Sequence, residues 1–144
     1  MKKSYHLESY NTIPKEYEDI LYDKISDNAF QTKGLSPMRP FSIFIKDDQD
    51  RVLGGISGTL FYGSLYIDSL WVDKSLRSQG WGTKLMQEAE TVGREQGALF
   101  ATLNTMDWEA LSFYQKLGYS IEFIREGYEK DSKMFLLRKT FQFA

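Results

Sequence analysis

One arginine and two glycines, in the pattern Arg77-x-x-Gly80-x-Gly82, follow an apolar run that ends near Val72. A helical pattern begins just beyond them, near Thr83. Strand, glycine-bearing turn and helix start therefore come in direct succession. The first turn of a helix has backbone N–H groups without partners and carries the positive end of the helix dipole, so it favours an anion. Gly80 and Gly82 leave no side chain where a phosphate would have to approach the backbone. Arg77 adds a positive charge, and the Thr83 hydroxyl suits either the helix start or a phosphate. The chemistry indicated is the seating of a pyrophosphate. The spacing matches neither a P-loop nor the three-glycine dinucleotide fingerprint.

A carboxylate lies in the apolar run itself, at Asp68. A strand period of two puts Tyr66, Asp68, Leu70 and Val72 on one face, with Leu65, Ile67, Ser69 and Trp71 on the other. Asp68 is thus embedded among apolar neighbours. It can take a proton from an ammonium substrate, directly or through water. A carboxylate tied to backbone or to a tyrosine fits the same pattern equally well. The chain has no cysteine, which excludes disulfides, thiolate metal sites and an acyl-cysteine intermediate. Its one histidine, His6, argues against a histidine-rich metal site or a serine–histidine triad. Asp47-Asp48-Gln49-Asp50 lacks the ligand spacing and closing glutamate of an EF-hand and reads as a solvated turn, so no metal is expected.

The turn, with Leu70-Trp71-Val72-Asp73 before it, resembles the Arg/Gln-x-x-Gly-x-Gly/Ala signature of the GNAT N-acetyltransferase superfamily. The segment Ala110-Leu111-Ser112-Phe113-Tyr114-Gln115-Lys116-Leu117-Gly118-Tyr119 resembles that family's later motif. The two stretches lie between the middle of the chain and its C-terminus, about half of it. The resemblance implies acetyl-CoA as cosubstrate, with its diphosphate on Arg77, Ser78, Gln79, Gly80, Trp81, Gly82 and Thr83. It also implies a pantetheine arm between two diverging strands, against Leu70, Trp71, Val72 and Asn104. Asn104 serves equally as a cap of the strand-to-helix turn. Tyr114 matches the family tyrosine that protonates the departing thiolate. The histone-acetylating branch has a glutamate base at the position of Tyr66, two residues before Asp68, which leaves the base open between Asp68, another residue and water. Phe30, Tyr66 and Asp68 are candidates for contact with the acceptor, and Asn28 lies near Phe30 in sequence; core packing and a surface amide are the plainer roles for Phe30 and Asn28.

The elements that must position these residues follow from periodicity and breakers. Ser4 to Tyr10 alternates loosely and reads as a first strand. Thr12 and Pro14 start a helix with Glu16, Glu18 and Asp19 in its first turn, and Tyr17, Ile20, Leu21 and Ile25 on one face. Gly34, Pro37 and Pro40 end it. Strands are expected at Phe41–Ile45 and Arg51–Tyr62, the second weakened or bulged by Gly54, Gly55 and Gly58, and again after a Gly63-Ser64 turn. The helix from Thr83 to Gln96 buries Leu85, Met86, Ala89 and Val92, and Gly97 ends it. Ala98–Asn104 reads as a buried strand. Asp107 suits the cap of a helix whose inward stripe is Ala110, Leu111, Tyr114 and Leu117, with Trp108 and Phe113 as packing. Tyr119–Arg125 and Lys133–Phe143 resemble a closing hairpin, joined by a charged loop from Glu126 to Ser132.

A chain of 144 residues with 42% hydrophobic residues is one domain's worth, residues 1–144. A net charge of −2 argues against general nucleic-acid binding. No apolar run approaches a membrane span and no signal peptide is evident, which points to the cytoplasm. The expected fold is α/β (α+β), a mixed, mostly antiparallel sheet flanked by helices. The expected activity is transfer of an acetyl group from acetyl-CoA directly to a primary amine of a small molecule. A protein or peptide acceptor, or a non-catalytic acyl-CoA-binding module, are the alternatives. The resemblance also allows a homodimer.

Overall fold

The computed structural model describes residues 2–142. The chain forms two compact units, Met1–Pro37 and Met38–Ala144. The first contains helix α1 (Lys15–Lys33). Pro14 precedes it, and its carbonyl accepts from the amides of Tyr17 and Glu18, both at 3.0 Å. Glu16 and Glu18 lie in the first turn, where the dipole favours them. Gly34 closes the helix in the left-handed conformation, at φ 69°. Ser4–Tyr10 contains no strand, contrary to its alternation. Its polar groups satisfy one another locally: Glu8 accepts from the Tyr10 hydroxyl at 2.8 Å and bonds the His6 ring at 3.0 Å. Alternation alone makes no strand without a partner edge.

The second unit holds strands β1 (Arg39–Lys46), β2 (Val52–Phe61) and β3 (Ser64–Val72), then helix α2 (Trp81–Glu95) and strand β4 (Phe100–Met106). Helix α3 (Leu111–Lys116) and strands β5 (Ser120–Tyr128) and β6 (Ser132–Thr140) complete it. The sheet order is β1-β2-β3-β4-β6-β5. Only β3 and β4 run parallel; every other neighbouring pair is antiparallel. The β1–β2 tip is the polar turn read from the sequence, with the Asp47 carboxylate accepting from the amides of Gln49 and Arg51. The β2–β3 turn is Tyr62-Gly63, one residue before the expected Gly63-Ser64, with φ of 52° and 80°, the paired left-handed residues that tight hairpins require.

Of the expected stripe, helix α2 buries Leu85, Met86 and Ala89 against Ile56, Leu65, Ile67 and Leu103, and Val92 only partly. It also buries Glu90, which the stripe did not include. The Glu90 carboxylate accepts from the Tyr119 hydroxyl at 2.9 Å and from Lys139 Nζ at 2.7 Å, with Arg94 at 3.7 Å. A charge this buried persists because its lone pairs have donors. Four expectations shift here. Helix α2 begins at Trp81 rather than Thr83. Strand β4 starts two residues later than expected and runs on to Met106. Strand β5 runs through Glu126 to Tyr128, so the joining turn is only Glu129–Asp131. Trp108 is 70% exposed rather than packed. Phe143, the last residue of the expected hairpin, lies outside the described residues.

Candidate active site

The site begins with an irregularity in β3. Leu60 faces Leu65 and Gly58 faces Ile67 across the β2–β3 ladder, but the next pair is Ser57 with Ser69. Asp68 is therefore an extra residue, a β-bulge, and the side-chain phase flips across it. Leu65 and Ile67 face the core before the bulge; Leu70 and Val72 face it afterwards. Tyr66, Ser69 and Trp71 take the other face. The strict alternation that grouped Tyr66 with Leu70 and Val72 is thus corrected, and Asp68 is exposed rather than embedded in apolar neighbours. Gly58 allows the distortion: a Cβ there would lie 2.1 Å from the Tyr66 carbonyl oxygen.

Beyond the bulge, β3 loses its other neighbour too. Its parallel ladder with β4 runs from Ser64 and Phe100 to Ile67 and Leu103 and then stops. Strand β4 stays paired with β6 through Asn104, Thr105 and Met106. The stretch Asp68–Val72 consequently parts from Asn104–Met106, and the strand edges on either side of the gap have unmatched backbone groups. Such groups need a partner, from water or from a ligand.

The gap opens into a cleft of about 630 Å³ lined by Asp68, Ser69, Leu70, Trp71, Val72, Arg77, Gly82, Asn104, Thr105, Glu109, Ala110, Phe113 and Tyr114. Of the residues singled out from the sequence, it brings together Asp68, Leu70, Trp71, Val72, Arg77, Gly82, Asn104 and Tyr114. Ser78, Gln79, Gly80, Trp81 and Thr83 form the adjoining turn and helix start rather than the cleft wall. Tyr66 lies on β3 beside the cleft, paired with Thr59; burial, and secondarily the Asp68 charge, raises its pKa. Phe30 and Asn28 belong to α1 in the first unit.

The turn is built as the sequence indicated. Asp73 accepts from the Ser75 amide at 3.0 Å and its hydroxyl at 2.6 Å, and these bonds hold the carboxyl below the usual carboxylate range. Gln79 Nε2 donates to the Ser75 carbonyl at 3.1 Å, and Arg77 Nε to the Val72 carbonyl at 3.4 Å. Ser78 and Gly80 are both left-handed, with φ of 64° and 81°. The first amide bonded back along α2 is that of Lys84, to the Gly80 carbonyl at 3.0 Å. The amides of Trp81, Gly82 and Thr83 precede it, as a helix start dictates. A Cβ on Gly82 would sit 3.3 Å from the Phe113 ring, across the cleft. Open amides, a cation and a glycine-lined wall fit a diphosphate, and the parted strands suit its pantetheine arm.

Tyr114 is on α3, its ring edge-on to Phe113 at 5.1 Å and to Tyr119 at 6.2 Å. Burial, and then the nearby Glu109 charge, push its pKa upward, so the hydroxyl is a proton donor at neutral pH. Asp107 does not cap α3; the N-cap is Ala110. Glu109 fastens the turn instead, its carboxylate accepting from the Met106 amide at 2.8 Å. Ser69, Thr105, Glu109, Ala110 and Phe113 line the cleft without having been marked as site residues. Only Glu109 carried a readable signal, an acidic side chain five residues before Tyr114. Among the described residues no group of three or more His, Cys, Asp or Glu side chains could hold a metal ion. No helix among them is long and apolar enough to cross a membrane.

An open mixed sheet with one parted parallel pair, a glycine-bearing turn at a helix start and a tyrosine lining the gap are the arrangement that comparison with known proteins then places in a class, the acyltransferases that use acyl-CoA. The family described as "Acetyltransferase (GNAT) family" matches residues 4–119. A relative from Agrobacterium fabrum, Acetyltransferase Atu2258, is 36% identical over 105 residues, covering 73% of this chain and 77% of that protein. Blasticidin-S acetyltransferase from Streptomyces morookaense is 31% identical over 86 residues, 59% of this chain and 63% of that one. A crystal structure of an acetyltransferase from Bacillus cereus superposes with a TM-score of 0.75 at 26% identity, covering 95% of this chain and 98% of the other. This chain belongs to the GNAT acetyltransferase family. It is an acyl-CoA N-acyltransferase, and acetyl-CoA is the family's acyl donor.

Proposed function

We propose that the chain transfers the acetyl group of acetyl-CoA directly to the primary amine of a small molecule. The observation that carries this reading is the parting of β3 from β4 beyond Ile67 and Leu103, between the α2 N-terminus and Tyr114. The diphosphate rests on the first amides of α2 and on Arg77. The pantetheine arm bonds the free edge of β3 at Leu70 and Val72, with Asn104 on the facing strand.

Asp68 takes one proton from the substrate ammonium, directly or through a water. The freed nitrogen attacks the thioester carbonyl carbon, and backbone N–H groups of β3 polarise its oxygen. The C–N bond forms and the C–S bond breaks. Tyr114 gives its proton to the sulfur, and the second amine proton returns the tyrosine to its starting state through solvent. The products are an acetamide, free CoA and one proton. The name of the Streptomyces relative, an antibiotic acetyltransferase, supports a small-molecule acceptor.

Free-thiol release with acetyl-CoA and a panel of small amines tests the reading. Amine-dependent release is expected, as is stabilisation by about 2.7 kcal/mol at 100 times the dissociation constant of acetyl-CoA. Stabilisation without release would make the chain a binding module. Release with peptides alone would make it a protein modifier.

A further inference from the structure

Asp68 lines a second cavity as well as the cleft. This cavity, of about 450 Å³, lies along β1 and β2 beside the bulge and is walled by Phe41, Ser42, Ser57, Gly58 and Thr59 with Asp68. Its volume is that of a small-molecule pocket. Ser42 stands directly opposite Ser57 in the β1–β2 ladder, and Thr59 is two residues on, on the same face. The wall therefore presents hydroxyls in a row with one carboxylate beside them, whereas the neighbouring Phe41 packs on the core face of the sheet. Among the described residues, no lysine, arginine or second carboxylate lines it. Asp68, the extra residue of the bulge, is common to the linings of the two cavities.

We infer that this cavity is the acceptor pocket and that it takes a small, hydroxyl-bearing amine with a single positive charge, such as an amino sugar. Its ammonium lies on Asp68 and its hydroxyls on Ser42, Ser57 and Thr59. One carboxylate matches one cation, so a polyamine would leave its remaining charges unpaired. An acceptor with anionic groups finds no cation in the wall. The inference rests on the transferase reading and adds the substrate class to it.

The test measures thiol release with 2-amino-2-deoxyglucose, spermidine and a lysine-bearing peptide as acceptors, using the wild type, Ser57→Ala and Thr59→Val. Neither substitution alters a residue of the acetyl-CoA cleft. The expected result is preference for the amino sugar, with its KM raised about 10-fold by each substitution through loss of one hydrogen bond. The KM for acetyl-CoA stays unchanged. Preference for spermidine or the peptide, or an amino-sugar KM untouched by both substitutions, overturns the pocket assignment while leaving the transferase reading in place. Stabilisation by acetyl-CoA with no release from any amine overturns both.

Discussion

The two halves of β3 have opposite fates. From Ser64 to Ile67 the strand is paired on both sides, and Leu65 and Ile67 are 0% and 3% exposed. From Asp68 to Val72 it keeps only β2 and faces a cleft. Each half has its carboxylate. Glu90 lies behind the paired half, 4% exposed, on the same helix as Gly93, whose Cβ would meet Leu65; two donors bond it at 2.7 and 2.9 Å. Asp68, at the start of the open half, faces two cavities. One extra residue reverses the facing of a core strand at the point where its ladder with β4 ends, and leaves an open edge beyond. A satisfied buried carboxylate holds the fold, whereas an open one is free for chemistry.

The largest effect is expected in the open half. Tyr114→Phe should lower kcat by ~10²-fold or more, the usual scale of a lost general acid, with acetyl-CoA affinity mostly retained. Asp68→Asn should cost a similar factor in kcat. Steady-state kinetics check both; an unchanged kcat in Asp68→Asn would move the base elsewhere.

In the paired half the damage should be to stability instead. Glu90→Ala leaves Lys139 and the Tyr119 hydroxyl without their acceptor, and a loss of ~3 kcal/mol is expected in urea unfolding. A loss under ~1 kcal/mol would show that water replaces the carboxylate. Between the halves lies Gly82, near the start of the same α2. Gly82→Val places a branched side chain toward Phe113 and over the first amides. The thermal stabilisation by acetyl-CoA, about 2.7 kcal/mol at 100 times its dissociation constant, should then vanish. The melting temperature without ligand should change much less.

The smallest effect sharpens the assignment of Tyr114. The negative charge of Glu109 raises the tyrosine pKa, second to burial. Glu109→Gln removes that charge, so the tyrosine should ionise at lower pH and the alkaline limb of kcat should move down. A limb that moves up, or does not move, would separate Tyr114 from that titration.

How much was legible in the sequence follows from where each signal is carried. The pyrophosphate turn was readable because its parts are consecutive: Arg77, Gly80, Gly82 and the helix start lie within a few residues. Most of the buried stripe of α2 and the polar β1–β2 turn were readable for the same reason, and the β2–β3 turn to within one residue. The glycines of β2 signalled a bulge, but not its extra residue, because the permission comes from Gly58 on one strand and the effect appears at Asp68 on the next. Period-two reasoning therefore put Asp68 with Leu70 and Val72. Glu90 was missed because a carboxylate on a helix reads as surface until its partners, Tyr119 and Lys139, are brought from distant segments. Ser4–Tyr10 carried alternation but no partner edge.

The most direct test is a crystal structure of the chain with CoA. The diphosphate should lie on the amides of Trp81, Gly82 and Thr83, with the sulfur between Leu70 and Asn104. The Tyr114 hydroxyl should then be within hydrogen-bond reach of that sulfur. CoA bound elsewhere, or β3 and β4 closed on each other beyond Ile67 and Leu103, would contradict the account.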